Sequence, residues 1–164
     1  MNTKDNQRVI EILKKMDICL MATFNEDGEI HTRPMAIKIR QDLVEPYVYF
    51  YIRNSSQVGQ EIRLKDYIHL GYMDETTHLY VTFKGKGAIK QDEQLKQQLW
   101  TPMMKTWFPE GLDDPQLGLV EVKLEEAQIW DSVSARVITL GQLHSSPTSS
   151  AGKDSEGPQT QVPS

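Results

Sequence analysis

Residues 100–115 combine several side chains that are costly to leave in water. The segment contains two tryptophans, one phenylalanine, three prolines and two adjacent aspartates. Proline fixes φ, and each aromatic ring removes a large apolar area from water when it is buried. Such a segment is suited to pack against a groove, a bound planar ring or a second subunit. The alternative is a loop folded back on its own core, and the residue types leave both interpretations open.

A second group of chemically useful residues lies at His31-Thr32-Arg33-Pro34-Met35 and extends to Lys38. Arg33 and Lys38 are five positions apart, so on a regular strand they point to opposite faces. Only a bulge would bring both cations to the same anion. Solvated strand charge is the alternative interpretation, and it applies more to Lys38 than to Arg33.

The sequence lacks the common motifs of metal, hydrolase and nucleotide sites. His31, His69, His78 and His144 are scattered, without Cys-x-x-Cys or His-Glu-x-x-His spacing. There is no Gly-x-Ser-x-Gly elbow, and Cys19 lies in an apolar strand where a thiol is usually inert. Glycine-rich phosphate loops are also missing. These absences leave the chemistry of the two segments described above unassigned.

Two motifs together resemble a known family. Arg33-Pro34-Met35 and the later Trp107-Phe108-Pro109-Glu110-Gly111-Leu112-Asp113-Asp114-Pro115 match, in order, motifs of the pyridoxamine-phosphate-oxidase-like, FMN-binding split-barrel proteins. The match is to their bacterial general stress protein branch and extends over about residues 8–131. The resemblance implies a mainly β (α+β) fold, a six-stranded antiparallel Greek-key split β-barrel with peripheral helices. It also implies a homodimer with FMN between the subunits.

Cofactor-binding roles are assigned to eight residues. The resemblance supplies Arg33, Pro34, Met35 and Lys38 from the early strand and Trp107 from the late motif, where it lies beside the flavin ring. It also supplies the positions of Ile52 and Ser56, where a strand leads into a helix whose free N–H groups favour a phosphate. Arg53 is added as a cation at the end of the same strand. No catalytic residue and no metal ligand is assigned.

This chain departs from the family in the phosphate segment. Ile52 replaces the usual threonine, Gln57 replaces an arginine of the oxidases, and Val58 replaces a lysine. Losing one charge-assisted contact costs about 1.5–3 kcal/mol, or about one to two decades of FMN affinity. Compensation by Arg53, loose flavin binding and a different ligand are the alternatives.

The chain also lacks the basic C-terminal segment with which authentic pyridoxamine phosphate oxidases hold their substrate. Its counterpart, Trp130-Asp131-Ser132-Val133-Ser134-Ala135-Arg136-Val137, contains one arginine. Oxidation of a B6 vitamer is therefore not expected. Three hypotheses remain: a flavin-dependent oxidoreductase of low activity with an unknown redox partner, a non-enzymatic flavin-binding or flavin-sequestering stress protein, and a split barrel that uses a deazaflavin or haem.

Periodicity and turn signals predict the elements that would position these residues. Helices are predicted over residues 5–16, 55–64 and 91–99. Strands are predicted over residues 18–24, 30–40, 47–52, 67–73, 78–89, 117–124 and 127–131. Gly28 suits the tight turn of a hairpin, while Gly85 and Gly87 mark a bend or a close backbone approach.

Length and composition limit the other possibilities. The 164 residues suit one domain over residues 1–144, followed by a Ser-, Pro- and Gly-rich tail over 145–164 that we expect to be disordered. The net charge of -5 argues against a nucleic-acid binder. No apolar run is long enough for a membrane span, and the polar N-terminus is unlike a secretory signal. With one cysteine, the cytoplasm is the expected compartment.

Overall fold

The computed structural model describes residues 3–132 and 134–141. Its α-helices are α1 (Thr3–Lys15), α2 (Gln57–Leu64) and α3 (Glu93–Leu99), and two 3₁₀-helices span Pro102–Thr106 and Gly111–Asp113. Its strands are β1 (Ile18–Phe24), β2 (Ile30–Ala36), β3 (Tyr47–Arg53), β4 (Tyr67–Asp74), β5 (Leu79–Lys90), β6 (Leu117–Trp130) and β7 (Ala135–Thr139). The tail predicted over residues 145–164 and its boundary at 144 lie outside the described residues.

One antiparallel sheet contains all seven described strands. Its order is β2-β1-β4-β5-β6-β3, and β7 pairs with β6 beyond the end of β3. The edge strands approach each other at a single bridge within the described part of the chain, where Lys38 and Tyr49 exchange two backbone hydrogen bonds of 2.8 Å. The sheet therefore stays open along the gap between β2 and β3, which we call the β2–β3 seam. The predicted split-barrel fold with peripheral helices is confirmed, with seven strands rather than six.

A bulge at Gly85 explains why β6 is a single long strand. Two strands were predicted over 117–124 and 127–131, and this prediction is wrong. The pairing with β5 passes from Lys84–Glu126 to Gly85–Leu124, so one extra residue of β6 is absorbed at this point. A Cβ on Gly85 would lie 2.4 Å from the Lys123 carbonyl oxygen. The close backbone approach predicted at Gly85 is therefore confirmed.

β3 is buried on both faces, which accounts for its unbroken apolar and aromatic sequence. Val48, Phe50 and Ile52 face the main core inside the barrel. Tyr49 and Tyr51 face a second cluster, built with α3 and residues 100–115. Residues 100–115, the aromatic segment, thus fold back on the outside of β3 and β6. Every helix that the structure describes falls short of the length and apolar character required to cross a bilayer.

Candidate functional site

The β2–β3 seam brings the two sequence motifs together. A cavity of about 230 Å³ lies there, with Pro34 and Met35 of β2 on one side. Tyr51 of β3 and Trp107 and Phe108 of the aromatic segment line the remaining wall. Three of the eight residues assigned to the cofactor, Pro34, Met35 and Trp107, therefore share one apolar, ring-lined cavity.

The aromatic segment holds Trp107 on a rigid support. The Trp100 ring packs edge-on against Tyr51, with centroids 5.4 Å apart, and the Phe108 ring lies 6.4 Å from the same tyrosine. Met104 is buried beneath them. Trp107 follows the first 3₁₀-helix, its backbone N–H donates to the Met104 carbonyl, and its side chain is 50% exposed. The segment thus fixes the Trp107 backbone while leaving much of its ring accessible.

Tyr51 offers the cavity a ring rather than an acid or a base. Its hydroxyl donates to the Lys96 carbonyl oxygen, and burial raises its pKa above the ordinary value. Burial also raises the pKa of the Cys19 thiol to about 12, so this thiol stays protonated near neutral pH. Among the described residues, no three His, Cys, Asp or Glu side chains are grouped as metal ligands.

Arg33 is bound to other side chains of the protein. Its Nη1 donates to Thr23 Oγ1 at 2.7 Å, and its Nη2 donates to Glu61 Oε1 at 2.9 Å. Thr23 also donates to Glu61 Oε1 at 2.9 Å. Glu61 projects from α2 and is only 3% exposed. A buried carboxylate is costly unless it is paired, so the arginine and the carboxylate hold each other in place.

His31 and Gln57 complete this group, which we call the Glu61 cluster (Thr23, His31, Arg33, Gln57 and Glu61). The His31 Nδ1 atom lies 2.8 Å from Glu61 Oε2 and 2.9 Å from the Gln57 amide nitrogen. Sequence reasoning missed Glu61 and Thr23 as the partners of Arg33. The available signal was the position of Glu61 beside Ile62, within the apolar face of the predicted helix.

The residues of the predicted phosphate segment, at the start of α2, differ from one another in burial and in their contacts. Ser56 is the N-cap of α2, and its Oγ accepts from the Gly59 backbone N–H at 3.2 Å. The Ile52 side chain lies in the main core, and Val58 packs partly buried against that core. Gln57 is exposed at the first position of the helix. Of the three departures from the family, only Gln57 thus lies at the surface.

The other two predicted cations also have partners inside the chain. Arg53 Nη1 lies 3.2 Å from Asp114 Oδ2, and its guanidinium is 6.0 Å from the centre of the Phe108 ring. Asp114 fixes the local turn as well, since its Oδ1 accepts from the Gln116 N–H at 2.8 Å. Lys38 Nζ donates to Thr101 Oγ1 at 3.1 Å. Arg53 therefore lies beside the cavity wall, and Lys38 lies where the aromatic segment begins.

The outer face of the sheet next to the cavity is apolar. Five large apolar side chains of β1, β2 and β4 are 45–64% exposed there: Ile18, Leu20, Ile30, Tyr67 and Met73. Ile18 also lines the cavity, so the face and the cavity are continuous. A broad groove of about 770 Å³ crosses this face, with Lys65 and Lys84 among its lining residues.

The comparisons with known proteins agree with this architecture. The chain is 27% identical over 144 residues to General stress protein 26 of Bacillus subtilis, covering 85% of this chain and 99% of that protein. It resembles a solved general stress FMN/FAD binding protein of Xanthomonas citri with a TM-score of 0.65 and 25% identity, over 80% of this chain and 92% of that one.

A solved protein from Clostridium acetobutylicum, related to General stress protein 26, superposes with a TM-score of 0.71 at 18% identity. That match covers 85% of this chain and 96% of the other, and it supports the fold. The family described as pyridoxamine 5'-phosphate oxidase like matches residues 4–153. The chain therefore belongs to the pyridoxamine 5'-phosphate oxidase-like family.

Proposed function

We propose that this protein is a flavin-binding protein of the general stress type, with the flavin ring at the β2–β3 seam. The observation that carries the proposal is the cavity shared by Pro34, Met35 and Trp107. These residues come from two distant motifs and form an apolar, aromatic wall of the kind that suits a planar ring. The Xanthomonas citri relative, described as binding FMN or FAD, supports the same ligand class.

We further propose that the site is completed by a second copy of the chain. Ligand cavities commonly measure about 300–1,000 Å³, whereas the cavity at the seam measures about 230 Å³ in one chain. The apolar outer face continues from it through Ile18. Contiguous exposed apolar patches mark interaction surfaces. A homodimer formed through this face would bury the patch and add a wall to the cavity.

A bound flavin supplies the redox chemistry, and the protein residues bind it, orient its ring and exclude water. Among the described residues that line the cavity, Tyr51 is the only ionisable one, and its hydroxyl is already bound to Lys96. This favours flavin binding or sequestration as the main role. A low-activity oxidoreductase with an unknown redox partner is the second candidate, because a flavin carries electrons without a protein acid or base.

Oxidation of a B6 vitamer has no support in the site. Arg136 is the arginine that stands in place of the basic segment of the authentic oxidases. Its guanidinium lies 3.5 Å from Asp5 Oδ1 and 3.7 Å from Asp131 Oδ2. Because its charge is already balanced by these carboxylates, Arg136 is poorly suited to bind a substrate phosphate.

The absorbance spectrum of protein purified without added cofactor tests the proposal. We expect a yellow protein with the bands of oxidised flavin, or a colourless protein that quenches flavin fluorescence when flavin is added. A sharp band near the violet would indicate haem, and a deazaflavin spectrum would indicate that cofactor. Either spectrum, or a colourless protein that leaves the fluorescence of added flavin unchanged, would contradict the proposal. The cytoplasm remains the compartment we propose.

A further inference from the structure

We infer that Glu61 sets the ligand class of this site by neutralising Arg33, so that the site binds riboflavin and FMN with similar affinity. Glu61 would thus be a specificity-determining residue that acts through its contact with Arg33. The inference rests on the proposed flavin site, and it concerns how that site treats the phosphate of its ligand. It comes from the Glu61 cluster, which the sequence motifs did not reveal.

The first step concerns the charge of Arg33. Both of its terminal nitrogens are engaged, one with Thr23 and one with Glu61, at 2.7 and 2.9 Å. The side chain of Glu61 is almost fully buried, so water screens the pair weakly. A phosphate that approached Arg33 would compete with this carboxylate and would meet its negative charge. The pair therefore offers a phosphate little net attraction.

The second step concerns the other groups near the start of α2. Arg53 is the next cation, and Asp114 lies 3.2 Å from it. Gln57 and Val58 carry no charge, and the Ser56 Oγ accepts from the Gly59 N–H. Arg63 also reaches this turn, where its Nη1 donates to the Asn54 carbonyl oxygen at 2.9 Å. Each of the three arginines near this end of the seam is thus held by an acceptor within the chain, and for Arg33 and Arg53 that acceptor is a carboxylate.

Lys38 does not replace these cations. Its backbone pairs with Tyr49, and its Nζ donates to Thr101. Tyr49 and Arg53 are four residues apart on β3, which corresponds to about 13 Å along a strand. Lys38 therefore lies at the opposite end of the seam from α2, away from the Glu61 cluster.

These contacts lead to a quantitative expectation. One uncompensated, charge-assisted contact would favour FMN over riboflavin by about ten- to a hundredfold. Without it, we expect the two dissociation constants of the wild-type protein to agree within about threefold. Glu61→Gln keeps the shape and one hydrogen-bond acceptor of the side chain but removes its charge. This change should tighten FMN about tenfold and leave riboflavin unchanged.

The experiment measures both dissociation constants by flavin fluorescence for the full-length wild-type and Glu61→Gln proteins, at low and at high salt. In Glu61→Gln, the gain in FMN affinity should shrink at high salt, because salt screens the attraction between the partly exposed Arg33 guanidinium and the phosphate. The double variant Glu61→Gln/Arg33→Gln is the matched control and should return the affinity ratio to that of the wild type. A purely structural role for Glu61 would change both ligands alike.

A second variant keeps the inference testable if Glu61→Gln fails to fold. Gln57→Arg adds a cation at an exposed position of α2 and leaves Glu61 in place, and it should tighten FMN selectively. A wild-type preference for FMN of tenfold or more would overturn the inference, as would an unchanged affinity ratio in Gln57→Arg. If no variant binds either flavin, the proposed function itself fails, which is a different result from binding without the expected ratio.

Discussion

Trp100 and Trp107 belong to the same segment but lie in different environments. Trp100 packs edge-on against Tyr51 within the second cluster. Trp107 is half exposed at the wall of the cavity. At the scale of single residues, one tryptophan therefore stabilises the fold, and the other is available to a ligand.

We predict that alanine substitutions will separate these two roles. Trp107→Ala should change the free energy of unfolding by less than about 1 kcal/mol and weaken flavin binding about three- to tenfold, the value of one ring contact. Trp100→Ala should lower the free energy of unfolding by about 3 kcal/mol. Urea denaturation and flavin fluorescence measure the two effects. Unchanged flavin affinity in Trp107→Ala would show that the flavin ring does not lie against Trp107.

Among the secondary-structure elements, the β5–β6 pair shows how a local bulge maintains a long ladder. The register shift at Gly85 brings its backbone within van der Waals range of Lys123. A Cβ added to Gly71, on the neighbouring strand β4, would meet no atom of the described structure within 4 Å beyond its own chain neighbours. Gly85 is thus tightly confined by its neighbours, whereas Gly71 has free space for a side chain.

Gly85→Ala should therefore destabilise the fold by about 1–3 kcal/mol, because the new methyl group collides with backbone rather than with a flexible side chain. Gly71→Ala is the matched control and should change stability by about 0.5 kcal/mol or less. Chemical denaturation of both variants tests the difference. Equal stability of the two variants would show that the bulge relaxes freely.

The positions of most elements could be predicted from local sequence, because apolar periodicity and turn residues act over a few positions. The β1 strand was predicted with its observed bounds, and α2 to within two residues. The strand predicted over residues 30–40 instead ends at Ala36. β7 was not predicted, because this strand of five residues, which forms a hairpin with β6, is too short to show a clear alternation of apolar and polar residues.

The candidate site was predictable only in part. Pro34, Met35 and Trp107 were named from motifs, and the cavity that joins them is visible only in the fold. The partner of Arg33 could not be predicted from spacing, because Glu61 lies 28 positions further along the chain. Whether any of the eight assigned residues contacts a cofactor stays a prediction.

At the scale of the whole molecule, the described part of the chain presents an apolar sheet face that is exposed in a single copy. It includes Leu20 and Met73, both more than half exposed, and it borders the cavity through Ile18. A second copy of the chain is the proposed cover for this face. At this scale the relevant quantity is the assembly state in solution.

We predict that the protein sediments as a dimer at micromolar concentration and that Leu20→Glu shifts it to a monomer. The added charge would have to be buried at the interface, which is unfavourable without a partner. Leu64→Glu is the control, because Leu64 is also exposed but lies on α2 rather than on the sheet face. Monomeric wild-type protein, or a dimer that persists in Leu20→Glu, would contradict the proposed interface.

The free edge of β2 also bears on aggregation. An unpaired strand edge is a template onto which another extended chain can add, as in amyloid growth. Pro34 lies in the middle of this edge strand, opposite Leu20 of β1. It has no N–H group that could donate a hydrogen bond to an added strand. The proline at the wall of the cavity thus also interrupts the hydrogen-bonding edge. The seam can therefore stay open without exposing a complete edge to unwanted strand addition.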